Sequence, residues 1–433
     1  MNPHKSLTLK NHVNSSFRDG IFTNANVGMA ESYFIAFMLA LGLSEVSAGL
    51  SIILAQFIGT LSQILLLRPS LSIPSLRKRL LIYLPLQALA FVPLIIMGIE
   101  RSATPMLMMI FLGFYWFNLL SLNPPWWRLM GHTIPRSYRL RFFSYRNLLT
   151  QFAVFIGLGL SGVVLYLAKP EGHELAAFMG IFFIGFLFKV FSWFEIKYRH
   201  RDFVVPDGEE NYLSFREFLK GLKNTEQGKL ITFLFFFYVT VHSSASYFNP
   251  YMLGPLGFNY IQFMVVVGVS YFGRVIGSRV MQKKARPHQM NQILFIVTLC
   301  IALNPLLWAV SRNYSWILFI EFWSGLNWAG LELATSLLFY QRIKDRDRTS
   351  IMTYISFIQV GGMALGCSIG ALFLHFLPTV PDKFLALFLF SSCFRLLGFI
   401  FSPHFKYRKE MPQLWANVRG PGRWFGNFFD RGK

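Results

Sequence analysis

Apolar stretches near 20 residues long, about the length that crosses the hydrocarbon core of a bilayer, follow one another from Asp19 to Phe401. Short polar or basic segments separate them. We read twelve spans. The first six cover residues 19–41, 46–67, 80–99, 105–122, 142–167 and 175–196. The second six cover 229–252, 260–280, 291–310, 315–340, 351–376 and 384–401. This pattern predicts an all-α integral membrane protein. A second pattern lies over the first. The apolar segment ending at Leu122 runs into Pro124-Pro125-Trp126-Trp127 and then a stretch to Asn147 that holds Arg128, Arg136, Arg139, Arg141 and Arg146, before the next apolar segment leaves. Arginines this dense mark the water-facing end of two spans. The same event recurs at Gln341–Arg348, and superposing Arg139 on Arg348 also places Asn118 on Asn327. The chain reads as two copies of one membrane unit.

Composition agrees with lipid as the solvent. Of 433 residues, 54% are hydrophobic and 14% charged, against about 25% charged in soluble domains. The net charge of +21 raises nucleic acid as a partner, but the basic residues sit in the loops between spans, where they orient a membrane protein. With the N-terminus inside, the outer loops hold only Arg101, Lys169, Arg312 and Lys383. This predicts that both termini are cytoplasmic. Residues 1–18 are polar and lack the apolar core of a cleavable signal peptide, so the first span is expected to act as the insertion signal. Cys300, Cys367 and Cys393 all fall inside spans without ligand spacing, which gives no disulfide framework and no metal site.

The expected organisation is a cytoplasmic N-terminus (1–18), a six-helix bundle (19–196), a cytoplasmic linker (197–228), a second six-helix bundle (229–403) and a basic, aromatic cytoplasmic tail (404–433). Within the linker, Leu213, Phe215, Phe218, Leu219 and Leu222 share near-helical spacing. A short amphipathic helix on the inner membrane surface fits them, and a plain tether between halves fits as well. The tail reads as an interfacial anchor.

Twelve spans as six plus six, with basic loops after spans two, four, eight and ten, resemble the major facilitator superfamily. Trp127-Arg128-Leu129-Met130-Gly131 through Pro135, and then Arg139-Leu140-Arg141-Phe142-Phe143-Ser144-Tyr145-Arg146-Asn147, resemble the fourth inner loop of a bacterial branch of that superfamily. Asp19-Gly20-Ile21-Phe22, Leu41-Gly42-Leu43-Ser44 and Trp328-Ala329-Gly330 fit it too. The resemblance implies a multi-pass transporter of a bacterial inner membrane, with the substrate near the midplane between two pseudo-symmetric halves. Its departures matter. The loop after span two, Arg68-Pro69-Ser70 to Leu76-Arg77-Lys78-Arg79, lacks the family's glycines and acid, and His132 stands where the branch often has Asp. The loop after span eight keeps Gly273, Gly277 and Arg279. Arg139, Arg141, Arg279 and Arg348 are the candidate gating-loop residues.

The resemblance makes spans one, four, seven and ten the cavity lining. Span one carries Asn24, Gly28 and Glu31 on one helical face, with Glu31 near mid-membrane. An ionisable group there is costly and is read as functional; the alternative is a structural latch. Span seven carries Tyr238, His242, Ser246 and Asn249, and histidine titrates near physiological pH; the alternative is a neutral histidine bonded within the bundle. Span ten carries Glu321, Gly325, Trp328 and Glu332 on one face, with pairing of Glu332 to an inner arginine as the alternative. Span four offers Tyr115, Asn118 and Ser121 before Pro124-Pro125, which are expected to end the regular helix. Glu31, His242 and Glu332 are the proton-coupling candidates. Lys189 and Arg395 fall in spans placed outside the cavity and are expected to snorkel towards water. No nucleotide-binding or nucleophile motif is present. The expected function is secondary transport of a small solute by alternating access with proton coupling, by a monomer contacting lipid and needing no cofactor or nucleic acid. The alternatives are an exporter of apolar or cationic compounds and a lipid-handling or sensor protein on the same scaffold.

Overall fold

A computed structural model describes residues 3–67, 75–134, 136–199, 213–284, 289–343, 348–377 and 382–398. The tail at 404–433 and parts of the inner loops lie outside these residues. The described chain is helical throughout. The helices are α1 (Pro3–Met29), α2 (Phe34–Ala40), α3 (Glu45–Leu67), α4 (Leu76–Leu89), α5 (Phe91–Glu100), α6 (Pro105–Thr133), α7 (Arg136–Ala168) and α8 (Glu174–Arg199). They continue as α9 (Phe215–Asn224), α10 (Glu226–Ala245), α11 (Phe248–Leu253), α12 (Tyr260–Lys284), α13 (Met290–Val310), α14 (Tyr314–Arg342), α15 (Arg348–Phe376) and α16 (Lys383–Gly398). Within the described residues, every apolar stretch falls on one of these helices or on a broken pair of them.

Among the described residues, nine stretches are long and apolar enough to cross a membrane. Three of the expected stretches are not among these nine. Helix α1 is rich in Asn and Ser and is broken from α2 by a 3-10 turn at Glu31–Tyr33. Helix α14 carries Glu321, Asn327 and Glu332. Helix α16 is described only as far as Gly398.

Two expectations about helix ends change. Helix α1 begins at Pro3 rather than Asp19, because residues 15–19 pack against its neighbours: Ser15 and Asp19 are buried, Ser15 Oγ donates to the Glu195 carbonyl (3.2 Å), and Phe17 stacks on Phe142. Helix α6 runs through Pro124-Pro125 to Thr133. A proline inside a helix leaves the carbonyl four residues earlier without its N–H, and in a membrane that carbonyl needs another donor. Gln63 Nε2 donates to Leu120 O, the carbonyl orphaned by Pro124, at 3.2 Å. The same repair recurs. Trp193 Nε1 serves Leu81 O, freed by Pro85, at 3.1 Å, and Arg395 Nη1 serves Ile301 O, freed by Pro305, at 2.7 Å.

The internal repeat extends to individual contacts. Helices α6 and α14 are each 29 residues long, capped at the start by Thr104 and Asn313 and at the end by buried Ile134 and Ile343. Asn118 and Asn327 each donate to the carbonyl one turn back, Phe114 O (2.7 Å) and Trp323 O (2.8 Å). At the two helix breaks, Tyr33 OH donates to Leu158 O (2.8 Å) and Tyr247 OH donates to Cys367 O (2.7 Å). Phe34, Phe37, Phe178 and Phe182 form an aromatic cluster on one side, and Phe248, Tyr251, Phe384 and Phe388 repeat it on the other. Close helix approach repeats as well. Gly157 of α7 abuts Ala25 O, and Gly366 of α15 abuts Val239 O, where a Cβ would come to 2.5 and 2.1 Å.

Helix α1 packs on α7 and α8, and α3 on α6; α10 packs on α15 and α16, and α12 on α14. Helices α3 with α15 and α7 with α12 join the two sets. The linker helix α9 is a strut. Its Phe215 and Phe218 pack on Tyr354 of α15 (5.2 and 5.0 Å), and Tyr354 OH donates to Leu213 O. A capping box of Ser214 and Glu217 sets where it starts.

Candidate functional site

Glu31 lies in the 3-10 turn between α1 and α2. A continuous helix would place Asn24, Gly28 and Glu31 on one face, and the break changes that phase. Gly28 faces the Val154 carbonyl of α7, Asn24 Nδ2 donates to its own helix at Gly20 O (2.8 Å), and Asn26 meets Glu31 through Tyr115 instead. Asn26 Nδ2 donates to Tyr115 OH (3.0 Å), and Tyr115 OH donates to Glu31 Oε2 (2.9 Å). Asn26 and Tyr115 are buried.

Lys189 does not snorkel. It is fully buried in α8, and its Nζ has no hydrogen-bond partner among the described residues. It stands within electrostatic reach of both Glu31 and Asp19. Asp19 in turn accepts from Ser192 Oγ (2.5 Å) and lies 3.6 Å from Arg146, whose guanidinium covers the Trp126 ring.

The other set of helices encloses a cavity of about 270 Å³. Its walls include Asn249, Glu321 and Trp328 from the sequence-derived set, together with Arg274, Asn304 and Arg395. Arg395 is likewise buried rather than snorkelling, because the carbonyl left open by Pro305 and three other acceptors draw it inward: Ile301 O (2.7 Å), Val241 O (2.9 Å), Ser244 Oγ (2.9 Å) and Ser391 Oγ (3.2 Å). Glu332 is exposed and pairs with Arg274 at 3.5 Å, and Arg274 also reaches Glu321 electrostatically. The arginine lies over the Tyr271 and Trp328 rings. Tyr271, on the same wall, is within reach of Glu31 and Glu332 alike.

The remaining residues singled out from the sequence are placed as follows. His242 Nδ1 lies 3.5 Å from Ser246 Oγ, beside Tyr238, whose ring neighbours Trp328. The described contacts do not join His242 to Glu31. Asn118 and Ser121 both donate to carbonyls of their own helix. Arg279 is exposed, and the side chains of Arg139, Arg141 and Arg348 lie outside the described residues. Sequence reasoning missed Asn26, Asn304, Lys189 and Arg395 as site residues. The last two carried a signal, a basic residue within an apolar phenylalanine-rich span.

The Major Facilitator Superfamily sequence pattern matches residues 120–371, more than half of the chain. The chain belongs to the major facilitator superfamily. It is therefore a multi-pass membrane protein and a secondary transporter rather than an enzyme. No curated protein matches its sequence. Among solved structures, the nucleoside transporter NupG is similar with a TM-score of 0.65 at 12% identity, over 94% of this chain and 100% of that one. A POT family transporter in complex with 5-aminolevulinic acid aligns with a TM-score of 0.65 at 14% identity, over 90% and 96%. The E. coli fucose:proton symporter FucP aligns with 0.59 at 15% identity, over 92% and 98%. At these identities the likeness establishes the transporter's fold alone.

Proposed function

We propose that this transporter moves a small solute through the cavity beside Arg395 by alternating access, and that protons binding at Glu31 drive the cycle. The observation that carries this reading is the Glu31–Tyr115 hydrogen bond at a helix break, with the Lys189 cation buried close by. A carboxyl held inside a membrane is costly to keep, and a helix break is the kind of irregular backbone that transporters place at their sites. His242 and Glu332 remain as assisting groups, Glu332 through its pair with Arg274. The reading places twelve spans as two six-helix halves, residues 19–196 and 229–403 joined by 197–228, in a bacterial inner membrane. Both termini are cytoplasmic and the working unit is a monomer.

Thermal unfolding of the purified protein against a metabolite library at pH 6 and pH 8 identifies the solute, since a ligand at 100 times its Kd stabilises by about 2.7 kcal/mol. In proteoliposomes, Glu31→Gln is expected to abolish accumulation of that solute driven by a pH gradient while leaving counterflow. Full pH-driven accumulation in this variant would remove Glu31 from the mechanism.

A further inference from the structure

The two halves build the same framework and fill it differently. The aligned contacts at the helix breaks, Tyr33 with Tyr247 and Phe34 with Phe248, place Glu31 on Ala245 and Asn26 on Thr240. The register of α6 and α14 places Tyr115 on Ser324. The aromatic pairs Phe178 with Phe384 and Phe182 with Phe388 place Lys189 on Arg395. Each half thus holds one buried cation at the same position. In the first half, the space in front of that cation is occupied by the carboxylate of Glu31 and the phenol of Tyr115. In the second, the corresponding Ala245 and Ser324 are small, and both line the open cavity with Arg395.

Among the described residues, no acid pairs with Arg395. All four of its hydrogen bonds go to neutral oxygens. A guanidinium has five N–H groups, so one on Nη1 is left over. Burying a cation without a counter-charge is expensive. Glu321, the acid on the cavity wall, lies within reach of Arg274 instead, and Glu332 nearby pairs with that same arginine. A second polar group lies on the same wall. Asn304, on the wall with Arg395, is buried and its Oδ1 has no partner among the described residues. Its amide, turned about its last bond, offers N–H donors.

We infer that the cavity of the second half binds the carboxylate of a small organic monoanion between Arg395 and Asn304, in the space that the first half fills with its own Glu31. The inference rests on the cavity being the transport site and names the class of solute it takes. A volume of about 270 Å³ lies just below the usual range for small-molecule pockets, which suits a compact acid. The single uncompensated cation matches one carboxylate rather than two.

The test is binding, measured apart from flux. Purified full-length protein is titrated with monocarboxylates from acetate to benzoate, and with the matching amides from acetamide to benzamide, following the unfolding midpoint. At least one acid is expected to stabilise the protein with its amide at least tenfold weaker. Arg395→Gln should lower the acid's affinity at least tenfold. Because that variant risks misfolding, Ala245→Glu supplies an independent arm. It gives Arg395 an internal acid, as Glu31 does for Lys189, and should keep the unfolding midpoint while abolishing acid binding.

Acids binding no better than amides, or an Ala245→Glu protein that still binds them with wild-type affinity, would overturn the inference. Failure here is separable from failure of the transport reading. A different solute accumulated under a pH gradient, with loss in Glu31→Gln, would leave that reading intact and sink this one. Acid binding without any coupled flux would do the reverse.

Discussion

Gly366 of α15 is one of the glycine positions of the second half with least room. A Cβ at that position would stand 2.1 Å from Val239 O, 2.9 Å from the Val239 carbonyl carbon and 3.1 Å from Ser243 N. All three are backbone atoms of α10, so no side chain can swing aside. Ordinary contact begins at 3.4 Å, and Gly366→Ala therefore forces α10 and α15 apart by about 1 Å, an overpacking strain of about 1–3 kcal/mol. The separation also stretches the Tyr247 OH to Cys367 O bond, now 2.7 Å, which ties the break just after α10 to α15. A kcal/mol shifts the midpoint by about 2–4 °C in chains of 150–250 residues and by less in a longer one, so the unfolding midpoint in detergent should fall by a few degrees. Gly180→Ala is the control. Its Cβ meets nothing within 4 Å on α8, so only the helix preference for alanine acts, in the stabilising direction by about 1 kcal/mol or less. A Gly366→Ala protein that melts with the wild type, or a Gly180→Ala protein that drops alongside it, would show that close helix approach does not limit this packing.

The two halves should answer alike where they are built alike. Tyr33→Phe and Tyr247→Phe each remove one buried hydroxyl–carbonyl bond, 2.8 and 2.7 Å long, and each is expected to cost about 1 kcal/mol in thermal unfolding. Tyr247→Phe combined with Gly366→Ala should cost less than the sum, since both act on one helix pair; additivity would contradict the shared origin. The linker helix α9 carries a pH dependence. The Ser214 backbone N–H (2.9 Å) and then its hydroxyl (2.8 Å) donate to the Glu217 carboxylate and hold it below its ordinary value of 4.5. A depressed carboxyl stabilises the folded form above the ordinary value, and that contribution is lost as pH falls through the lowered one. Amide exchange at residues 215–218 should therefore be slow near neutrality and rise below about pH 4.5, and Glu217→Gln should flatten the profile. Equal protection at pH 3 and pH 7 would refute the capping account.

Hydropathy and repeat carried much of the architecture in the sequence. Twenty-residue apolar stretches can cross a bilayer only as helices or barrels, and their length favours helices. The arginine-rich loops at Arg139 and Arg348 and the pairing of Asn118 with Asn327 exposed the duplication, because a copied helix keeps its register. Single residues unusual for apolar spans, Glu31, Tyr115, Glu321 and Trp328, were legible as candidates. Tertiary structure decided which of them meet. Periodicity assigns a face only along an unbroken helix, and the turn at Glu31–Tyr33 brings Asn26, not Asn24, to Tyr115. Whether a long cation snorkels or stays inside depends on the groups waiting for it. For Arg395 that group is a carbonyl freed by Pro305 on another helix, a relation no local pattern carries. The cavity itself is made by what is missing. Ala245 and Ser324 look unremarkable in sequence, and they define an open site only because the other half shows, at the same two positions, the acid and the phenol that would fill it.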